Sequence, residues 1–158
     1  MATNNSAAVS RTPPDRVFFL SEIIGARVML RGRKVGTRAE LVIVETGKVP
    51  EVKQVVVARP FGKPPLTIPW EKVASLGNRE RAVDIPAAKE FEGEPPETAV
   101  LLRDHILDKK VLDMEDREVE MVYDIKLVLK NQRLYATDVD TSRYGLLRRI
   151  GLAWLANF

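Results

Sequence analysis

Few residues in this chain are of a type and spacing that can do chemistry. The single histidine, His105, stands beside a carboxylate in Asp104-His105-Ile106. An imidazole paired with a carboxylate can serve as a general base or bind a metal, but catalysis also needs a nucleophile or substrate pocket beside it. None accompanies it, so a structural or surface role is expected. Asp138 and Asp140 flank Val139. On a strand they share one face, and with Asp124 or Glu120 nearby they can offer oxygen ligands to a hard divalent ion such as Mg²⁺. A solvated acidic face is the simpler reading. Arg31, Arg33, Lys34 and Arg38 form a basic cluster near a hairpin. It suits RNA phosphate, yet no aromatic stacking platform accompanies it, and a solvated turn is expected. The glycines of Gly32-Arg33-Lys34-Val35-Gly36 have neither the spacing nor the following helix of a phosphate loop. The absence of cysteine removes disulfides, thiol catalysis and cysteine-based zinc sites, and fits a reducing compartment. No cofactor is expected, Mg²⁺ being the one ion the acidic pair can hold.

The elements that must position these residues are written twice. The stretch from Phe19 to Val28 is echoed 83 positions later by Leu102 to Val111. Each copy passes through a charged turn, Arg31 to Lys34 or Glu115 to Glu118, to Val35 or Val119. Five positions on, an acidic residue, Glu40 or Asp124, opens an apolar run, Leu41 to Val44 or Ile125 to Leu129. Internal repeats constrain the fold before local detail does.

Punctuation sharpens the division. In the first copy, short β-rich stretches at Arg27 to Leu30, Leu41 to Glu45, Val52 to Ala58 and Leu66 to Pro69 alternate with glycine and proline turns. Val55-Val56-Val57, apolar on both faces, predicts a central strand. Gly25 and Gly36 are expected in backbone conformations that side chains resist. Matching strands are expected at Lys110 to Asp113, Tyr123 to Leu129 and Arg133 to Asp138. Trp70 is expected to cap the first unit with its N–H satisfied. Between the units, residues 86–98 are acidic and proline-rich, as an extended linker would be. Short, evenly spaced strands predict a mainly β fold of small barrels.

The 158 residues, 45% of them apolar, suffice for packed cores. Residues 1–85 carry a net charge of +6 and residues 86–158 a net charge of −3, a split able to steer a partner or orient two modules. The polar stretch at residues 1–16 lacks the apolar core of a secretory signal and is expected to be a disordered leader. No apolar run approaches the roughly 18 residues that span a bilayer. On a helical wheel Leu146, Leu147, Ile150, Trp154 and Phe158 fall within about 120°. With Arg148 and Arg149 elsewhere on the wheel, this tail is a candidate partner surface or a peripheral contact with acidic lipid. Packing against its own barrel or a twin protomer is the simpler expectation.

The pattern Leu20, Ile24-Gly25, Val28, Val35-Gly36, Leu41 to Val44, Val55 to Val57 and Ile68-Pro69-Trp70 resembles the PRC-barrel domain. The second half looks like a further copy. Its segments Leu102 to Val111, Asp138-Val139-Asp140 and Tyr144 to Gly151 are similar to the paired PRC-barrels attached to some MgtE-type magnesium transporters. The resemblance implies two small PRC-type barrels in tandem, at residues 17–85 and 99–158, with short helical turns and a C-terminal amphipathic helix. It also implies a non-catalytic cytoplasmic adaptor or regulatory module, bound to a protein partner such as a transporter domain and self-associating. The alternative is a ribosome- or RNA-associated assembly module, similar to the maturation factors of the same barrel family. The second copy departs from the pattern. Asp108 and Glu120 stand where Gly25 and Gly36 stand, and nothing after Ile150 matches Ile68-Pro69-Trp70. The last strand of the second barrel is therefore expected to be missing: most simply the natural chain continues beyond Phe158, the alternatives being a helix that covers the gap or a strand supplied by another chain.

Overall fold

The computed structural model describes residues 15–44, 49–73, 83–84, 88–113, 115, 117–142 and 145. They form a mainly β, antiparallel structure; no closed barrel is found among them.

The first copy begins with β1 (Arg16–Phe19), which turns directly into a one-turn helix, α1 (Leu20–Ile23). The hairpin β2 (Arg27–Leu30) and β3 (Arg33–Val44) follows, then β4 (Glu51–Ala58) and β5 (Leu66–Pro69). A short strand, β6 (Val83–Asp84), lies parallel to β2. The second copy repeats the order: β7 (Val100–Leu101), α2 (Leu102–His105), the hairpin β8 (Lys110–Leu112) and β9 (Val119–Met121), then β10 (Asp124–Lys130) and β11 (Arg133–Asp140). The long β3 thus corresponds to β9 and β10 together.

Pairing crosses from one copy to the other. β1 pairs with β10, Phe18 opposite Leu127, while β7 pairs with β3, Ile43 opposite Val100. Each copy therefore lends its first strand to the other, and nine strands from both copies form one sheet. β4 and β11 meet at a single pair, Glu51 opposite Tyr135. These two residues are 84 positions apart, the separation that also relates Glu40 to Asp124. A residue facing its own repeat mate marks a pseudo-twofold axis through that pair.

The core is shared in the same way. Leu20 and Leu102 are both buried at the start of their helical turns, and Val28, Leu41, Val55, Val57, Leu66 and Ile68 pack in one cluster with Val122, Ile125, Leu127 and Leu134. Burial of this many branched side chains is the main stabilising term, at roughly 1.5–3 kcal/mol per side chain removed from water. A break of the β1–β10 or β3–β7 pairing would open the cluster on both copies at once.

Several expectations change in detail. Leu20, not Phe19, matches Leu102, because α2 exits one residue wider: the Leu102 carbonyl accepts from Leu107 N–H, five residues on, as well as from Ile106, where the Leu20 carbonyl accepts from Ile24, four on. The strand at Arg16–Phe19 runs into what was expected to be leader, and β11 continues two residues past Asp138 to Asp140. Gly25 does hold a positive φ of 81°, but Gly36 does not. Gly36 is required for a different reason: a Cβ there would stand 2.3 Å from the Ala58 carbonyl oxygen on the neighbouring strand. The linker is tied down rather than simply extended. Gly93 N–H donates to the Pro65 carbonyl at 2.9 Å, Thr67 Oγ1 donates to the Gly93 carbonyl at 2.8 Å, and Arg59 pairs with Glu92 at 2.8 Å.

Candidate functional site

Two buried carboxylates hold the exchange in place. A one-turn helix leaves its first N–H groups without internal partners, and both α1 and α2 lack a capping side chain at the preceding residue. The acceptor comes instead from the other copy. Asp124, fully buried at the head of β10, accepts from Ser21 N–H at 3.1 Å and from the Ser21 hydroxyl at 2.6 Å, and also from its neighbour Ile125 N–H at 2.9 Å. Glu40, on β3, accepts from Arg103 N–H at 2.8 Å and Asp104 N–H at 3.0 Å, and from Leu41 N–H at 2.8 Å. The first copy's helix is capped by the second copy's acid, and the reverse. Burial raises the Glu40 pKa above its ordinary value, against the three N–H donors that favour its charge; the nearby Asp104 adds to the rise.

Near Glu40 on β3 lies a buried guanidinium. Arg38 is 2% exposed, and its Nε and Nη1 have no hydrogen-bond partner among the described residues. Desolvation lowers its pKa to about 10, which leaves it charged at neutral pH. A buried charge with an incomplete set of partners is unfavourable. Its counterpart is Val122: Gly25 N–H and Arg38 N–H bond to the Arg38 and Ala26 carbonyls, just as Asp108 and Val122 N–H bond to the Val122 and Lys109 carbonyls. A guanidinium thus sits where the other copy places a fully buried valine. Of the basic cluster expected near the hairpin, Arg31, Arg33 and Lys34 are exposed and Arg38 is buried. The signal that would have separated it was its alignment with Val122.

The pseudo-twofold axis is lined by polar groups. Glu51, 7% exposed, pairs with Lys53 Nζ at 2.9 Å and stands 3.9 Å from Arg133 Nε. Together with Trp70 and Gln132 they border a cleft of about 320 Å³. Trp70 is buried and its indole N–H donates to the Gln132 carbonyl of the other copy at 2.9 Å, so it links the copies rather than waiting for a partner. No nucleophile faces Glu51 among the residues lining that cleft.

The remaining sequence candidates are dispersed. His105 is exposed, and its Nδ1 accepts from Leu101 N–H at 3.1 Å, a local link four residues back. Asp138 stands 3.8 Å from Lys126 Nζ on the outer part of β11. Asp140 accepts from both Ser142 N–H, at 2.9 Å, and Ser142 Oγ, at 2.5 Å. Asp124, across the β10–β11 register from Asp140, is engaged with Ser21. Among the described residues no group of three His, Cys, Asp or Glu side chains is placed to hold a metal ion. Arg148, Arg149, Trp154 and Phe158 lie outside the described residues. Among the described residues no helix is long and apolar enough to cross a membrane. No protein-family model matches the chain, and no curated protein matches it either.

Proposed function

We propose that this chain is a non-catalytic cytoplasmic adaptor built of two PRC-type β-barrel units in tandem, holding or regulating a transport system of the MgtE magnesium type. The observation that carries the reading is the reciprocal exchange of first strands and helix caps between the copies. It joins the two units in one sheet and commits Glu40 and Asp124 to structure, which suits a part that works by being held. The family and the transport link rest on the resemblance alone. The test is calorimetric titration of the chain into the purified cytoplasmic region of an MgtE-type transporter. Saturable binding at micromolar concentration is expected; no heat at 100-fold higher concentration rejects the reading.

A second reading is favoured by one observation. Arg31, Arg33 and Lys34 all project from the turn of the β2–β3 hairpin into solvent, where phosphate can reach them. An RNA-associated assembly module would retain RNA in a salt-sensitive way, and Arg31→Glu with Arg33→Glu would abolish the retention while leaving the transporter titration unchanged.

A further inference from the structure

At the end of the sheet where β3 begins and β4 stops, the fold gathers residues that the chain keeps apart. β3 and β4 run antiparallel with Thr37 opposite Ala58, so the β2–β3 turn and the β4–β5 loop leave the sheet side by side. Lys34 to Thr37 and Ala58 to Pro60 face each other across a cleft of about 370 Å³. On one side Arg31, Arg33 and Lys34 are exposed, and on the other Phe61 and Lys63. Among the described residues none of these four cations is held in an ion pair. Glu92, which its bridge to Leu66 brings to this end, is paired with Arg59 at 2.8 Å. The basic turn has no aromatic near it in sequence; the fold supplies Phe61.

Phe61 is 96% exposed and holds φ at 61°, next to Gly62 at 67°. A single exposed apolar side chain by itself means little. A bulky residue at positive φ is an outlier, however, and this one gains no packing within the chain in return. The loop around it is braced: Arg59 Nε donates to the Pro64 carbonyl at 2.6 Å, and Pro60, Pro64 and Pro65 stiffen it. A strained backbone in a braced turn points to a role outside the fold. How the ring stands selects the partner. A ring on which nucleobases stack works best laid against the protein, with one face preset and free; Phe61 has neither face covered. A ring bare on all sides among cations suits an apolar layer beneath a negatively charged surface.

We propose that the Phe61 loop and the β2–β3 turn form a docking surface for an anionic lipid bilayer. Phe61 enters the boundary between headgroups and acyl chains, and Arg31, Arg33, Lys34 and Lys63 meet the anionic headgroups. The second copy is turned away from the lipid. β3, β4, β11 and β10 each run antiparallel to the next, so β10 begins at the opposite end of the sheet, and the hairpin leading into it exposes Glu115 and Glu118. The surface goes beyond the adaptor reading and does not depend on it, and it gives the basic turn a partner other than RNA.

The experiment uses the whole chain and vesicles of phosphatidylcholine with or without about 30% phosphatidylserine. Expected is saturable co-flotation with the anionic vesicles that weakens as salt rises, and binding roughly tenfold weaker or less to the neutral ones. Phe61→Ser should lower the anionic partition by roughly tenfold or more, as should Arg33→Glu with Lys34→Glu. The melting temperature should stay unchanged, because all three side chains are exposed. The chain has no cysteine, so Phe61→Cys carries an environment-sensitive fluorophore at one defined place. Its emission should move to the blue on anionic vesicles, and the same label on Glu118→Cys should not respond. Absence of co-flotation overturns the proposal. So does co-flotation that Phe61→Ser leaves intact while the label at position 61 stays in water, which assigns the contact to another surface of the chain. Retention of single-stranded RNA that Phe61→Ser abolishes, without lipid binding, makes the ring a stacking platform and overturns it equally.

Discussion

The two copies use the same device at their junction and different devices around it. Both acids cap the other copy's helix, yet Asp124 is short and wholly buried, whereas Glu40 is longer and reaches two successive N–H groups of α2. Around this matched pair the copies diverge. Arg38 stands for Val122, Gly25 for Asp108, and a β5-covered Val55 for an uncovered Val139. The lesson is that the shared residues hold the copies together, and the unshared ones mark what each copy does alone. The first copy carries the added strand β5 and a buried cation; the second carries an exposed Val139 and an acidic hairpin.

The strongest way to break the comparison is to remove one of the matched acids. Asp124→Ala leaves Ser21 N–H, the Ser21 hydroxyl and Ile125 N–H without their acceptor. At about 1–3 kcal/mol for each buried group left unsatisfied, a loss of roughly 3 kcal/mol or more is expected in the urea unfolding free energy. Because the strand exchange unites the copies, the transition should remain single. Two separate transitions would mean that the copies are stable apart. Arg38→Leu comes next, with the opposite sign. Giving the first copy the apolar character of Val122 removes a buried charge whose Nε and Nη1 have no hydrogen-bond partner among the described residues, and a gain of up to about 1–4 kcal/mol, the range for replacing buried ion pairs by apolar groups, is expected. A destabilised Arg38→Leu would show that the guanidinium has an anionic partner in solution.

The repeat and most of the strands were legible in the sequence because they rest on apolar periodicity and on glycine and proline, which act locally. The strands at Arg27–Leu30 and Leu66–Pro69 fall where that pattern places them. What the pattern does not carry is which copy a strand pairs with. β1 and β10 are about a hundred positions apart, and nothing in Arg16–Phe19 distinguishes pairing within its own copy from pairing with the other. Glu40 and Asp124 were visible as landmarks of the repeat, but their role depends on that exchange and so stayed hidden. Gly36 was seen as special for the wrong reason: a turn conformation and a close backbone approach leave the same mark in a sequence.

A smaller effect concerns the Glu40 cap alone and is read by pH. The Glu40 pKa is raised in the folded protein, chiefly by burial, from an ordinary 4.5. Between 4.5 and its raised value the folded chain holds a proton that the unfolded chain has released, so folding is favoured by acid. Glu40's contribution is greatest below its unfolded pKa and falls as pH rises through the folded one. Urea midpoints compared with those of Glu40→Gln should show this: the wild-type advantage shrinks as pH rises across that window, and the variant lacks the slope. A wild-type slope equal to that of Glu40→Gln assigns the dependence to other groups.

The finest contrast is between two turns with the same hydrogen bonds and different residues. Gly25 holds φ at 81° and Asp108 at 60°, each with its N–H bonded to a carbonyl beyond the hairpin turn that follows, Arg38 on β3 or Val122 just after β9. No heavy atom lies within 4 Å of a Cβ built on Gly25, so Gly25→Asp meets no steric obstacle and bears only the left-handed backbone penalty, about 1 kcal/mol for an L-residue, less for aspartate, which bonds locally in that region. The loss is further reduced because a side chain restricts the unfolded chain more than glycine does. A midpoint shift worth less than about 1 kcal/mol is expected. A larger loss would mean that the first copy's turn is held by something beyond its φ, and the two turns would then be alike in shape but not in origin.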